Sequence, residues 1–165
     1  MRILGIDPGS IVTGYGIVED GSGSPLHVAD GAVTGIASDT LTERLPHIFD
    51  GLQEVIKGYQ PDAMAVESIF FARNAKSAAI LGHARGVALL SAAKARLDVF
   101  EYSPMEVKKS VVGYGMATKE QVQKMVKSLL QMERLPVPDA ADALAVAICH
   151  LHHRGFHQKI YSQRS

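Results

Sequence analysis

Two carboxylates close short apolar segments of the sequence: Asp7 follows ILGI at residues 3–6, and Glu67 follows AMAV at residues 63–66. Segments of this kind are typical of buried strands. Open sheets with parallel strands bind ligands at the carboxyl ends of those strands. Asp139 and Asp142 stand three residues apart in an alanine-rich segment, which puts both on one face of a helix. The sequence therefore predicts that these acids converge.

Four converging carboxylates without cationic partners would repel one another, and a hard divalent cation would remove that conflict. Oxygen-only ligands favour Mg²⁺ or Mn²⁺ over zinc. Two such ions about 4 Å apart can clamp a phosphodiester, one activating water and the other stabilising the leaving oxygen. Two structural interpretations compete with this one: Asp139 as a favourable charge at a helix N-terminus, and Asp7 as a turn residue.

The elements that must position these acids follow from the hydrophobic pattern. We expect strands 1 to 3 to form an antiparallel meander, and strands 4 and 5 to run parallel to strand 1 in one mixed sheet flanked by helices, an α/β fold. We predict a single domain over residues 1–165, with its core at about 1–153 and a short C-terminal tail. The predicted strands lie at 2–7, 15–19, 26–34, 62–67 and 99–102, and the helices at about 40–59, 74–96, 104–112, 119–132 and 138–153.

Composition narrows the class of protein. The 165 residues are 47% apolar and 21% charged, with a single cysteine, so no internal disulfide can form. The first residues do not resemble a signal peptide, and no apolar run is long enough to cross a bilayer, so we expect a cytoplasmic protein without a membrane anchor. Net charge is zero, yet residues 1–70 carry −7 and residues 71–134 carry +6. The basic segment forms either a phosphate-binding face or ordinary solvated helix faces.

Several short motifs together resemble the RuvC family of Holliday-junction resolvases, within the ribonuclease-H-like superfamily. They fall in the same order and at similar spacing from residue 1 to about 152. The motifs are GIDPGS at 5–10, TGYG at 13–16, ESIF at 67–70, NAKSA at 74–78, GHARGV at 82–87, VKKSVVG at 107–113 and DAADAL at 139–144.

The resemblance implies a ribonuclease-H-like fold and a homodimer that resolves four-way Holliday junctions in recombination and DNA repair. It implies paired symmetric nicks that leave 5′-phosphate ends, and a branch-migration motor complex as partner. It also assigns the catalytic, metal-binding role to Asp7, Glu67, Asp139 and Asp142. Some relatives carry histidine at the position of Asp139, so which acid binds metal and which orients water stays open.

The resemblance further suggests DNA contacts. It places Phe70 where an exposed ring can stack on an unpaired base, whereas Phe71 is better explained as core. Lys108 and Lys119 match basic positions near the scissile phosphate, although Lys119 also begins a helix after Thr118, a plausible N-cap. The further phosphate-contact candidates are Arg73, Lys76, Arg85 and Lys109.

Three patterns allow two interpretations each. Ala78, Gly82 and Gly86 form a flat strip on the helix at 74–96, for either a dimer interface or packing on the sheet. The glycines at 8–16 either admit a phosphate backbone or shape a hairpin. The histidines near the C-terminus suggest either a metal site or, preferably, a solvated frayed end, because His150 lies about 12 Å along the helix from Asp142.

Other functions remain as alternatives. The GIDPGS motif also resembles the first phosphate loop of actin-like and sugar-kinase ATPases, but those need a second lobe that 165 residues cannot supply. A related nuclease acting on ribosomal RNA is usually shorter and lacks the lysine-rich segment at 107–127. A junction-binding protein with an inactive site would not require the four acids.

Overall fold

A five-stranded mixed sheet organises the chain, in the order β3-β2-β1-β4-β5. The computed structural model describes residues 1–35, 40–68 and 75–162, with side chains as far as residue 154. Its strands are β1 (Arg2–Asp7), β2 (Val12–Asp20), β3 (Pro25–Thr34), β4 (Ala63–Glu67) and β5 (Asp98–Tyr102). β1, β2 and β3 pair antiparallel, whereas β4 runs parallel to β1 and β5 parallel to β4. The predicted fold class is confirmed.

Helices cover both faces of this sheet. They are α1 (Leu41–Tyr59), α2 (Ala75–Lys94), α3 (Pro104–Val112), α4 (Lys119–Leu129) and α5 (Pro138–Ser162). Leu4, Ile6, Met64 and Val66 pack with α1 and α2 on one face. The other face packs against α3, α4 and α5, which are rich in alanine and valine where they meet the sheet. Within the described residues, no helix is long and apolar enough to cross a membrane.

The alternation of side chains along the strands fixes which face each acid occupies. Successive strand residues point to opposite faces. Ile3 lies in the α5-side core and Leu4 in the α1-side core, and Ala65 and Val66 divide in the same way. Continuing this period of two places Asp7 and Glu67 on the face covered by α5.

Glycines allow α5 to lie directly on that face. A methyl group added at Gly5 would overlap the carbonyl oxygen of Ala143, and one at Gly14 would overlap the carbonyl oxygen of Asp139. One at Gly16 would collide with Leu144. The glycines of β2 therefore serve helix–sheet packing, which neither of the two interpretations offered for them had anticipated.

Two sequence interpretations of the C-terminal segment need correction, and one of the two alternatives for α2 is excluded. The last helix does not end near residue 153 but continues to Ser162. His150 does not belong to a solvated, frayed end, because it is 4% exposed and packs beneath β5. On α2, Gly82 and Gly86 are exposed, and among the described residues nothing lies within 4 Å of a methyl group added at either, so they do not pack on the sheet. Ala84, Ala88 and Ala92 do so instead.

Candidate active site

Asp7 and Glu67 are the last residues of two neighbouring parallel strands. Ile6 of β1 pairs with Val66 of β4, so both strands end at the same edge of the sheet. On the far side of Asp7, its backbone partner in β2 is Gly14. Since a parallel pair brings its carboxyl ends together, the two acids predicted from separate parts of the sequence are adjacent.

α5 brings the second pair of acids to this edge. The backbone of Asp139 lies against Gly14, the partner of Asp7, which is the close approach that a side chain at position 14 would prevent. One turn further along α5, Asp142 lines the same pocket as Asp7 and Glu67. Asp139 does not line that pocket, although its charge acts on Asp7.

The pocket has a volume of about 220 Å³ and combines acids with lysines. Lys108 from α3 and Lys119 from α4 line it together with the three acids, and α3, α4 and α5 supply an apolar wall. Hydrogen bonds at the helix starts define where α3 and α4, the helices that carry these two lysines, begin. The Ser103 hydroxyl accepts from the backbone N–H of Glu106 at the start of α3, and the Thr118 hydroxyl accepts from that of Gln121 at the start of α4.

Burial and mutual repulsion perturb the acids. Burial, then the charges of Asp142 and Glu67, raise the pKa of Asp7 to about 7. Burial, followed by the charge of Asp142, also raises the pKa of Glu67, and Lys119 and Lys108 oppose that shift. Such shifts arise when carboxylates crowd together without enough positive charge.

A cation does meet one of the acids, which the sequence interpretation did not foresee. The Lys119 Nζ donates to Asp142 Oδ2 at 2.8 Å, and this hydrogen bond is the main reason why the pKa of Lys119 is raised. The expectation of four acids without a cationic partner was therefore wrong for Asp142. One lysine cannot neutralise the remaining acids, as the raised pKa of Asp7 indicates.

The donor set suits a hard divalent cation, since it consists of carboxylate oxygens at a sheet edge. Across residues 1–35, 40–68 and 75–154, no three acidic, histidine or cysteine side chains already stand close enough to hold an ion. Repulsion among the acids and the turn of Asp142 toward Lys119 both favour such a separated arrangement. An ion would have to draw these side chains together.

The other predicted DNA contacts divide into three groups. Phe70 and Arg73 lie outside the described residues, as does Phe71. Lys76 and Lys109 are exposed on α2 and α3, away from the pocket lining. Arg85 forms an ion pair with Glu101 of β5 at 2.6 Å, and its side chain is 17% exposed. Among the basic candidates in the described residues, only Lys108 and Lys119 reach the pocket.

Sequence reasoning missed the contact between Tyr102 and His150. Tyr102 is the last residue of β5 and pairs with Glu67. Ligands bind at the carboxyl ends of parallel strands, and this rule, which pointed to Asp7 and Glu67, also points to Tyr102. Its hydroxyl lies 2.8 Å from His150 Nδ1. No local signal marks His150, because its partner is 48 residues away in the sequence.

Comparison with known proteins identifies relatives of this chain over nearly its whole length. The family model described as crossover junction endodeoxyribonuclease RuvC matches residues 3–150. The RuvC protein of Geobacter metallireducens is 52% identical over 164 residues, covering 99% of this chain and 100% of that one. That of Syntrophotalea carbinolica is 55% identical over 152 residues, covering 92% and 94%. The structure of Thermus thermophilus RuvC in complex with a Holliday junction substrate matches with a TM-score of 0.89 and 34% identity, covering 95% and 96%. The chain belongs to the RuvC family of crossover junction endodeoxyribonucleases.

Proposed function

We propose that this protein is an endonuclease that resolves four-way Holliday junctions in recombination and DNA repair. The observation that carries the proposal is the pocket in which Asp7, Glu67 and Asp142 meet Lys108 and Lys119, in a chain of this family. Acids that hold a cation and lysines that face an anion are together suited to phosphodiester hydrolysis. The products would be paired, symmetric nicks with 5′-phosphate ends.

The four acids are proposed as the metal ligands and catalytic residues. Asp7, Glu67 and Asp142 line the pocket, and Asp139 lies close enough for its charge to act on Asp7. We propose Mg²⁺ as the cofactor, two ions per site, with Mn²⁺ able to replace it. A bound divalent cation supplies charge neutralisation for the phosphate and acidifies water. Asp139 stands apart from the pocket lining, so of the four it is the best candidate for orienting water or the other acids.

Lys119 and Lys108 are proposed to act on the scissile phosphate. Without DNA, the ammonium group of Lys119 is held by Asp142 at 2.8 Å. If Asp142 instead held a divalent cation, the ammonium group of Lys119 would be free to meet the phosphate. Fixed cations aimed at developing negative charge stabilise the transition state. Lys108 would extend this cationic side of the pocket.

The remaining DNA contacts are proposed with different support. Lys76 and Lys109 are exposed and available to phosphates, and Phe70 and Arg73 retain their proposed roles from the sequence. Arg85 is the weakest candidate, since Glu101 already neutralises it at 2.6 Å.

A homodimer is proposed because two symmetric nicks require two active sites. The outward face of α2 supports this choice. It presents Gly82 and Gly86 with open space above them, next to Leu90, which is 53% exposed, and Val87. Small residues on a helix face allow a second helix to approach closely. Resolution of junctions would take place in the cytoplasm, with a branch-migration motor complex as partner.

The proposal is tested with purified protein and a synthetic four-way junction, with a linear duplex of the same sequence as control. We expect cleavage of the junction only when Mg²⁺ or Mn²⁺ is added. Asp7→Asn and Glu67→Gln should lose cleavage yet bind the junction. Full activity in these variants would refute the metal assignment. Cleavage of structured RNA in preference to the junction would support the rival RNA-processing function instead.

A further inference from the structure

The backbone of Tyr102 anchors the tip of the strand that carries Glu67. Tyr102 pairs with Glu67 across the two parallel strands. Just beyond Glu67, Ser68 donates twice to the Tyr102 carbonyl oxygen, from its backbone N–H at 2.8 Å and from its hydroxyl at 3.2 Å. The end of β4 is therefore held in place by the end of β5, which is the edge strand of the sheet formed by the described residues.

The side chain of Tyr102 is in turn held by α5. Its hydroxyl lies 2.8 Å from Nδ1 of His150, and its ring also contacts that of His153 with 5.1 Å between centroids. His150 is 4% exposed and packs beneath Phe100, with 4.3 Å between ring centroids. In the described part of the chain, its Nε2 has no hydrogen-bond partner. The Tyr102 hydroxyl therefore provides the one side-chain hydrogen bond found for this buried ring.

Both members of the pair are uncharged near neutral pH. Burial is the main factor that lowers the pKa of His150, and it raises the pKa of Tyr102 to about 12. A hydrogen bond between neutral groups is directional, and leaving the buried His150 ring without its partner is costly. This hydrogen bond therefore fixes the orientation of the His150 ring relative to Tyr102, which apolar packing alone would restrict less.

His150 shares a helix with two of the proposed metal ligands. It follows Asp142 by eight residues on α5, a separation of about 12 Å along a continuous helix. The hydrogen bond between Tyr102 and His150 consequently joins two bodies: the β4–β5 edge, which carries Glu67, and α5, which carries Asp139 and Asp142. Neither side chain lines the acidic pocket.

We propose that Tyr102 and His150 are positioning residues, whose hydrogen bond sets the placement of Glu67 relative to the acids of α5 and thereby the affinity of the site for divalent cations. This inference rests on the proposed function. The two groups act through the strand tip and the helix, so junction binding should not depend on their bond.

The first test removes only the hydroxyl, in Tyr102→Phe. The matched control is Tyr59→Phe, since Tyr59 ends α1 next to Arg2, at the opposite end of β1 from Asp7. In metal-free protein, hydrogen–deuterium exchange at the Ser68 amide should become at least 5-fold faster in Tyr102→Phe than in the control. Mn²⁺ affinity without DNA, followed by electron paramagnetic resonance, should fall about 3- to 10-fold. Unchanged Ser68 exchange together with unchanged Mn²⁺ affinity would overturn the proposal.

The second test separates positioning from packing. His150→Asn keeps a polar group near the place of Nδ1, whereas His150→Leu fills the space without one. We expect Asn to retain Mn²⁺ affinity and Leu to lose it, with both proteins folded by circular dichroism. Equal affinities in the two folded variants would assign His150 a packing role only. Because these readouts need no cleavage, they remain decisive even if the wild-type protein proves inactive on junctions, which would count against the proposed function alone.

Discussion

The Lys119 ammonium group lies 2.8 Å from Asp142 Oδ2, so a proposed metal ligand is already bound by a lysine. The lysine side chain is 77% exposed and the aspartate 26%. An ion pair so open to solvent contributes little stability and is readily given up. This pair therefore balances part of the acidic charge without blocking the site, and a divalent cation must compete with it.

That competition predicts opposite effects of Lys119→Gln on two measurements. Removing the ammonium group frees Asp142 and removes a nearby positive charge, so Mn²⁺ binding without DNA should tighten about 2- to 5-fold. Junction cleavage should nevertheless fall by 10-fold or more, because the phosphate loses a cation. Isothermal titration with Mn²⁺ and single-turnover cleavage provide the two values. Lys124→Gln, an exposed position on the same helix, is the control for the metal titration. Weaker Mn²⁺ binding in Lys119→Gln would contradict this account.

The raised pKa of Asp7 predicts that Asp7→Asn stabilises the metal-free protein. Burial, and then the charges of the neighbouring acids, raise the pKa of Asp7 from 3.8 to about 7. The folded protein therefore holds a proton that the unfolded chain releases, and its stability relative to the variant falls as pH rises from about 4 to 7. Such a pKa shift corresponds to at most about 4 kcal/mol in the free energy of unfolding, and solvent in the pocket reduces this value. We therefore expect Asp7→Asn to raise the free energy of unfolding by on the order of 2 kcal/mol above pH 7.

Urea unfolding in the presence of EDTA, at pH 5 and at pH 8, measures this difference. The increase in the free energy of unfolding of Asp7→Asn over the wild type should be large at pH 8 and smaller at pH 5. Asp20→Asn, at the exposed end of β2, serves as the control and should change stability little at either pH. Adding Mg²⁺ should stabilise the wild type and not Asp7→Asn. A gain of equal size at both pH values would mean that the ionisation of Asp7 is not its source.

Close packing of α5 on β2 predicts a large cost for Gly14→Ala. The added methyl group would overlap the Asp139 carbonyl oxygen, so the helix must shift away from the sheet. Overpacking of this kind costs about 1–3 kcal/mol. Gly58→Ala is the matched control, because Gly58 lies in α1 with open space around it and alanine favours helix there. We expect urea unfolding to show destabilisation for Gly14→Ala and a small gain for Gly58→Ala; equal effects would contradict the packing argument.

Much of the fold follows from local pattern. The strands ending at Asp7 and Glu67 are apolar runs closed by an acid, and their period of two determines which face each acid occupies. α3 and α4 begin at capping residues, Ser103 and Thr118, that the sequence displays directly. Information of this kind lies within a few residues and does not depend on tertiary contacts.

The features that escaped prediction depend on distant partners. Lys119 reaches Asp142 across 23 residues of sequence, and His150 meets Tyr102 across 48. The structural role of the glycines of β2 becomes apparent only from the packing of α5 against them. The outward direction of Gly82 depends on which face of α2 packs on the sheet, and alanines occupy both faces, so the pattern of apolar residues gives no preference.

The exposed face of α2 predicts an effect on assembly that is separable from folding. Gly82→Glu places a charge on the exposed face of α2, where no atom of the described residues lies within 4 Å of an added Cβ, so the monomer should fold normally. If this face joins two copies, the buried charge should break the dimer, because an unpaired charge in an interface is costly.

Light scattering after gel filtration would then give a monomer for Gly82→Glu and a dimer for the wild type. Gly58→Glu, equally open but on α1, should leave the dimer intact. If each copy contributes one active site, as proposed, loss of the dimer should uncouple the two nicks, so that a supercoiled cruciform plasmid gives nicked circles rather than linear DNA. A Gly82→Glu protein that remains dimeric and still linearises the plasmid would place the dimer interface on another surface.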